Sequence, residues 1–345
     1  MTALRHSDDR VQSLDEAPIR RSATIPILIV TGALGAGKTT LLQRLLSGAD
    51  STRYAVIVNE FAALGIDQHI LETSASEIVL LDNGCFCCRA RGGLSETLMG
   101  LFEQRRAGQI EDFEGLIVET SGLSDPVSML QDIARSAEAS RIFHVNAIIT
   151  VVDAAASPSD IKGSEISRRQ VAFATTVVLS KTELVGFEEK VTICNTVSSL
   201  NPYAAIVHAQ HESIDLSKFF SRPEFTLPAA LPSISHNHRT DIQHHIIKVP
   251  EPLSWKGFTI ALEALAALRA PDLLRVKGIV QARGISAPIV YHRVQHVTYP
   301  TAHLPRWPSQ NRQTELVFIT RDICRSSIET LIRATNELAT EASAN

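Results

Sequence analysis

Ile25-Pro26-Ile27-Leu28-Ile29-Val30-Thr31-Gly32-Ala33-Leu34-Gly35-Ala36-Gly37-Lys38-Thr39-Thr40 decides how this chain folds. An apolar, β-branched run stops at Gly32, a glycine-rich loop follows, and Leu41, Leu42, Leu45 and Leu46 then recur at helical spacing. The loop fits G-x-x-x-x-G-K-[ST] and sits between a strand and a helix, the context that this pattern requires. Its glycines free backbone N–H groups to wrap phosphate oxygens, and the helix N-terminus adds partial positive charge. Gly32, Ala33, Leu34, Gly35, Ala36, Gly37, Lys38, Thr39 and Thr40 are therefore the expected phosphate cradle. Lys38 is placed to bridge the β- and γ-phosphates, and Thr39 to ligate Mg²⁺.

Outward from this loop, short apolar runs at 25–31, 54–59, 77–81, 116–119, 145–152, 177–180 and 205–207 alternate with stretches of helical period. That alternation predicts an α/β fold, a doubly wound parallel sheet with crossover helices. Residues 1–24 are polar and read as a flexible arm, 25–210 as the nucleotide-binding and metal-binding domain, and 211–240, rich in Pro, Ser and His, as a linker. Residues 241–345 then read as an α+β domain, with strands at 242–249, 273–280, 289–299 and 315–320 and helices at 255–268 and 325–342.

A phosphate loop needs a carboxylate at a neighbouring strand end to organise Mg²⁺ or water. Glu119, in Ile117-Val118-Glu119-Thr120-Ser121-Gly122, ends such a strand, and Gly122 allows close backbone approach. Lys38, Thr39 and Glu119 are the expected catalytic set. Asp153, ending the next strand, reads as an ordinary strand-end acid. Ser180-Lys181-Thr182-Glu183 follows a buried strand; a lysine stem there packs on a purine while a carboxylate accepts both guanine N–H donors. That reading selects GTP over ATP.

The 345 residues carry 33 Lys plus Arg against 37 Asp plus Glu, a formal charge of −4, with no basic cluster. This excludes a nucleic-acid footprint. The N-terminal stretch has no apolar signal segment, and no run of 18 apolar residues occurs, so a cytoplasmic protein without membrane association is expected. Five cysteines are too few for a disulfide scaffold. Three of them, Cys85, Cys87 and Cys88, form Asn83-Gly84-Cys85-Phe86-Cys87-Cys88-Arg89, after a strand that ends at the same sheet edge as the phosphate loop. Three thiolates suit Zn²⁺, Co²⁺ or Cu⁺ and leave a fourth tetrahedral position open. Glu60, ending the second strand, is the acid expected to complete the set. Buried inert thiols or a redox sensor are the competing readings of the cluster. His236, His238, His244 and His245 suggest a second metal-handling stretch, although His244 and His245 open a strand and cannot both face one way.

Together these residues resemble the CobW family of metal-trafficking GTPases, relatives of the nickel-insertion GTPases of urease and hydrogenase maturation. Matching blocks are residues 32–42, Asn59-Glu60-Phe61, Gly65-Ile66-Asp67, the Cys-x-Cys-Cys segment, and Glu119-Thr120-Ser121-Gly122-Leu123-x-Asp125-Pro126. Gln170-Val171-Ala172-Phe173-Ala174, Leu274-Arg275-Val276-Lys277-Gly278-Ile279 and Glu315-Leu316-Val317-Phe318-Ile319 continue the series. The resemblance implies GTP hydrolysis with Mg²⁺ and a metal held by the cysteines for delivery to a client metalloenzyme. Zn²⁺ is the first metal expected, with Co²⁺ and Fe²⁺ as alternatives. The client is expected to dock on the C-terminal domain or the switch loops, and a homodimer is a further expectation. Two departures stand out: the family's Asn-Lys-x-Asp is Ser180-Lys181-Thr182-Glu183 here, and Thr176 replaces an acid before that strand. A P-loop ATPase or kinase with redox-regulated cysteines is one rival reading. A nucleotide-bound metal buffer without delivery is another.

Overall fold

Ile27, Leu28, Ile29 and Val30 are wholly buried, as a strand covered on both faces requires. They belong to β1 (Ile25–Gly32) of a computed structural model that describes residues 24–46, 53–59, 77–81, 93–209, 215–220, 242–269, 272–294, 297–298, 301–308 and 312–341. Among the described residues, β2 (Tyr54–Asn59), β3 (Glu77–Leu81), β4 (Gly115–Glu119), β5 (Phe143–Asp153), β6 (Thr176–Ser180) and β7 (Ala205–His208) join β1 in one sheet. The strand order is β3-β2-β4-β1-β5-β6-β7, and every pairing is parallel.

Alternation along β1 decides what covers each face. Leu28 and Val30 pack under Leu41, Leu42, Leu45 and Leu46 of the helix Lys38–Leu46. Ile27 and Ile29 face the other way, under residues of the helices Leu94–Arg106, Pro126–Arg135 and Glu165–Phe173. The doubly wound sheet expected from the alternating runs is thus the observed one. Helix starts follow local chemistry: Asp125 Oδ1 accepts from Val127 N at 3.0 Å, and Pro126 fills the first helical turn.

The C-terminal half builds a second sheet from β8 (Ile242–Val249), β9 (Leu273–Val280), β10 (Ile289–Val294), β11 (Val297–Thr298), β12 (Ala302–His303) and β13 (Thr314–Arg321). Its order is β11-β10-β9-β13-β8, antiparallel, with β12 paired to β10. The single strand expected over 289–299 is instead a hairpin. Val294 pairs with Val297 and Arg293 with Thr298, so the two halves of that apolar run satisfy each other's backbone. One face of this sheet packs Val276, Val280, Leu316 and Phe318 against Phe258, Leu262, Ile328 and Ile332 of the helices Trp255–Arg269 and Arg325–Glu341. Within the stretch expected as linker, residues 215–220 lie on the first domain: Leu216 is buried, Phe220 stacks on Tyr54 with ring centroids 4.2 Å apart, and Phe219 O accepts from Asn146 Nδ2 at 2.6 Å. None of the helices among the described residues is long and apolar enough to cross a membrane.

The second sheet's other face closes on the first domain, where Ile242, Leu274, Val294 and Ile319 join the core formed by Ile27, Val118 and Phe173. Polar groups are buried in this contact. Arg275 Nη1 donates to Ala174 O, and His244 Nε2 donates to Ser199 O at 3.2 Å. Burial lowers the His244 pKa to about 4, only partly opposed by the Ser199 carbonyl, and burial likewise lowers that of His292. An unfolded histidine takes up its proton near pH 6.5, so between that value and about 4 the unfolded chain binds more protons and stability falls with falling pH. His244→Gln is expected to flatten this fall, read as the urea midpoint between about pH 7 and 4.5. An unchanged slope would remove His244 from the account.

Candidate functional site

β1 runs straight into the phosphate loop, and the turn there admits no side chain. Gly32 has φ +139°, and a Cβ on it would lie 2.2 Å from Val151 O of the neighbouring strand. Gly35 and Gly37 also take positive φ, which folds the loop back over the N-terminus of the Lys38–Leu46 helix. Lys38 is 6% exposed, and its Nζ donates to Ala33 O at 3.0 Å, so the ammonium lies inside the arch of the loop. Burial lowers its pKa while the nearby Glu119 opposes that shift.

Glu119 ends β4 beside the loop. Thr120 N donates to Val30 O at 2.9 Å and Thr120 Oγ1 to Thr31 Oγ1 at 2.8 Å, which fixes the end of β4 against β1. Glu119 is 1% exposed. Its Oε1 accepts from Thr39 Oγ1 at 2.9 Å, whereas Oε2 is buried without a hydrogen-bond partner. Burial raises its carboxyl pKa, against the effects of Thr39 and Lys38. An orphaned buried carboxylate oxygen is costly. Together with the Thr39 hydroxyl it forms a pair of hard oxygen donors that fits Mg²⁺.

The segment after β4 is packed tightly against the loop. A Cβ on Gly122 would meet Leu34 N at 2.4 Å. Gln170 Nε2 donates to Ser124 O at 3.1 Å and to Gly122 O at 3.4 Å, and Asp125 pairs with Arg169. This gives the Gln170-Val171-Ala172-Phe173-Ala174 block a role that sequence alone does not assign: its glutamine holds the strand-end segment beside the phosphate loop.

Of the expected base-reading element, Ser180 faces inward. Its Oγ donates to Ala36 O of the loop at 2.6 Å, and Thr182 is buried. Lys181 takes the left-handed conformation, φ +53°, and its Nζ pairs with Asp153 Oδ2 at 2.6 Å. Glu183 lies exposed on the following 3₁₀ turn. Asp153, read from sequence as an ordinary strand-end acid, is thus engaged at this site. The turns carrying these residues flank a cleft of about 360 Å³ lined by Ala154, Ser157, Val185, Glu188 and Thr192, with no phosphate-loop residue in its wall.

Cys85, Cys87, Cys88 and Glu60 lie outside the described residues, as do His236 and His238. What is described is where the chain leads to them: β2 ends at Asn59 and β3 at Leu81, paired in register, at the edge where β1 enters the phosphate loop. His244 and His245 face opposite ways, bonded to Ser199 O and to Ile323 O at 2.7 Å. Among the described residues no three His, Cys, Asp or Glu side chains gather as a metal site.

Residues 26–208 match the family described as CobW/HypB/UreG, nucleotide-binding domain. The chain belongs to this family. Residues 242–336 match the cobalamin synthesis protein cobW C-terminal domain, so both sheets fall within CobW-type domains. Zinc chaperone YjiA of Escherichia coli (strain K12) is 28% identical over 86% of this chain and 93% of its own length. Zinc chaperone CobW of Pseudomonas aeruginosa is 28% identical over 92% of each. The crystal structure of Zn(II)-bound YjiA GTPase from E. coli shares the fold, with a TM-score of 0.68 at 22% identity, covering 91% of this chain and 99% of that one. In a CobW-family nucleotide domain the close approach at Gly122 has a direct test. Gly122→Ala forces the phosphate loop to move, and nucleotide affinity is expected to fall about tenfold or more with helix content unchanged, read by fluorescent-nucleotide titration and circular dichroism. Wild-type affinity would show that the loop yields freely.

Proposed function

We propose that this protein is a GTP-dependent metallochaperone. It binds GTP on the phosphate loop, holds a transition metal on Cys85, Cys87 and Cys88 with Glu60, and couples hydrolysis to release of that metal to a client enzyme. The observation that carries the proposal is the common edge: the Thr39–Glu119 pair lies where β2 and β3 end, and the chain leaves those strands toward Glu60 and the three cysteines. Zinc is the favoured cargo because thiolates suit it and because relatives across most of the chain are named zinc chaperones.

In the hydrolytic step Lys38 compensates charge on the β- and γ-phosphates, and the buried Glu119 carboxylate orients the attacking water. Thr39 and Glu119 would hold Mg²⁺, which would supply neutralisation of the phosphate charge when bound. Loss of the γ-phosphate changes what Glu119 and the Gly122 segment contact. The strand-end loops on the same edge then change with them, the second domain or these loops receive the client, and the cytoplasm is the compartment where the thiolates stay reduced.

Calorimetry of Zn²⁺ binding tests the coupling. The form holding a non-hydrolysable GTP analogue and the GDP form are expected to differ in affinity by about 5- to 150-fold. Equal affinities would leave a metal buffer whose nucleotide is structural. Cys87→Ser is expected to weaken Zn²⁺ binding by several kcal/mol, out of the roughly 10–16 kcal/mol typical of a complete thiolate-rich site, and wild-type affinity should rise with pH as thiols deprotonate. An affinity independent of pH would point to oxygen ligands.

A further inference from the structure

We propose that Asp153 is a positioning residue for the nucleotide base: it fixes Lys181 so that the lysine stem forms the platform on which the purine stacks. The inference rests on the reading of residues 180–183 as the base-recognition element and adds a residue from a different strand. β5 and β6 are parallel neighbours, and Asp153 stands opposite Ser180 in their register. The pairing continues past the strand ends, since Ala154 N donates to Ser180 O at 3.0 Å. Lys181 is the next residue, and it turns at once into the left-handed region at φ +53°. For a residue with a Cβ that conformation is costly and persists only where its surroundings hold it.

The Asp153 carboxylate supplies the holding contact. One oxygen, Oδ1, accepts from Ala155 N at 2.9 Å, which fixes the carboxylate to its own turn. The other, Oδ2, lies 2.6 Å from Lys181 Nζ. The four-carbon stem is therefore stretched between a backbone anchor on β6 and a charge anchor on β5. It lies at the edge where Ser180 Oγ meets Ala36 of the phosphate loop. An unanchored lysine would lose several rotors' worth of freedom each time a base stacked on it. An anchored one has lost that freedom beforehand, and the saving appears as nucleotide affinity. A stacked stem does not distinguish purines, so Asp153 acts on affinity for GTP and ATP alike. The guanine preference stays with Glu183, whose carboxylate accepts the two guanine donors.

A double-mutant cycle on the full chain, read with a fluorescent GDP analogue, tests this. Lys181→Ala and Asp153→Asn are each expected to weaken binding about tenfold, and the double variant no further than either single one. Asp153→Glu is expected to recover part of the loss. In GTP turnover, Asp153→Asn should raise KM far more than it lowers kcat, and it should leave the GTP-to-ATP affinity ratio intact. If Lys181→Ala weakens binding while Asp153→Asn does not, or if the two losses add, the positioning role is overturned and the base-recognition reading stands. If Lys181→Ala binds as the wild type does, both fall.

Discussion

Parallel pairing throughout the first sheet puts the C-terminal end of every strand at one edge, and the chemistry of the chain depends on that constraint. β1, near the centre, delivers the phosphate loop. On one side β4 delivers Glu119; on the other β5 and β6 deliver Asp153 and Lys181. The remaining strands on the β4 side, β2 and β3, end where the chain departs toward Glu60 and the cysteines. No allosteric wire is needed to couple the nucleotide site to the proposed metal site, because adjacent strands cannot separate without breaking a buried ladder. A displacement at the end of β4 is felt first at its two neighbours, one carrying the phosphate loop and one leading to Glu60.

Among the described residues, the helix Glu165–Phe173 links the second sheet to this edge. Gln170 holds the backbone of Gly122 and Ser124, and Ala174, just past the helix, receives Arg275 from β9. A surface series runs parallel to it: Asp125 with Arg169, Arg169 with Glu165 at 3.6 Å, Glu165 with Arg321 at 3.3 Å, and Arg321 with Asp272 at 3.3 Å. The exposed members of that series each contribute little. The buried Arg275 is different, since a guanidinium taken out of water is strongly destabilising when its acceptor is removed. The segment after Glu119 thus cannot shift far without either losing its Gln170 bonds or carrying the helix, and with it the floor of the domain contact.

Much of this was legible in the sequence because it is local. The phosphate loop is a contiguous run whose strand and helix announce themselves by period, and β1 to β7 are short apolar runs of the kind that strands buried on both faces produce. Glu119's place beside the loop could be found because it depends on a local position, the end of a strand. Asp153 could not, since what gives it meaning is a lysine 28 residues away on a neighbouring strand, and strand order is not written in either segment. Gln170 escaped for the same reason, its partners lying 46 and 48 residues earlier. The hairpin within 289–299 was read as one strand because a run that pairs with itself has the same composition as one that pairs with its neighbours.

The departures from the family's base-reading pattern look less severe once their surroundings are known. An asparagine at position 180 would offer both a donor and an acceptor, whereas Ser180 spends its single proton on Ala36 O, with Val152 O a further 3.3 Å contact. The phosphate loop is therefore still tied to the end of β6, but Ser180 has no proton left to donate to a base. On the reading proposed above, that leaves the work of contacting the purine to Lys181 and Glu183. One is held by a charge on the adjacent strand; the other reaches from an exposed 3₁₀ turn with a methylene more than the usual aspartate. On the proposed reading of residues 180–183, recognition is thus divided between an anchored lysine stem that accepts any purine and a carboxylate that selects guanine. A glutamate has one more rotatable bond to fix on binding than an aspartate, so on that reading the anchored lysine has to supply a larger share of the affinity.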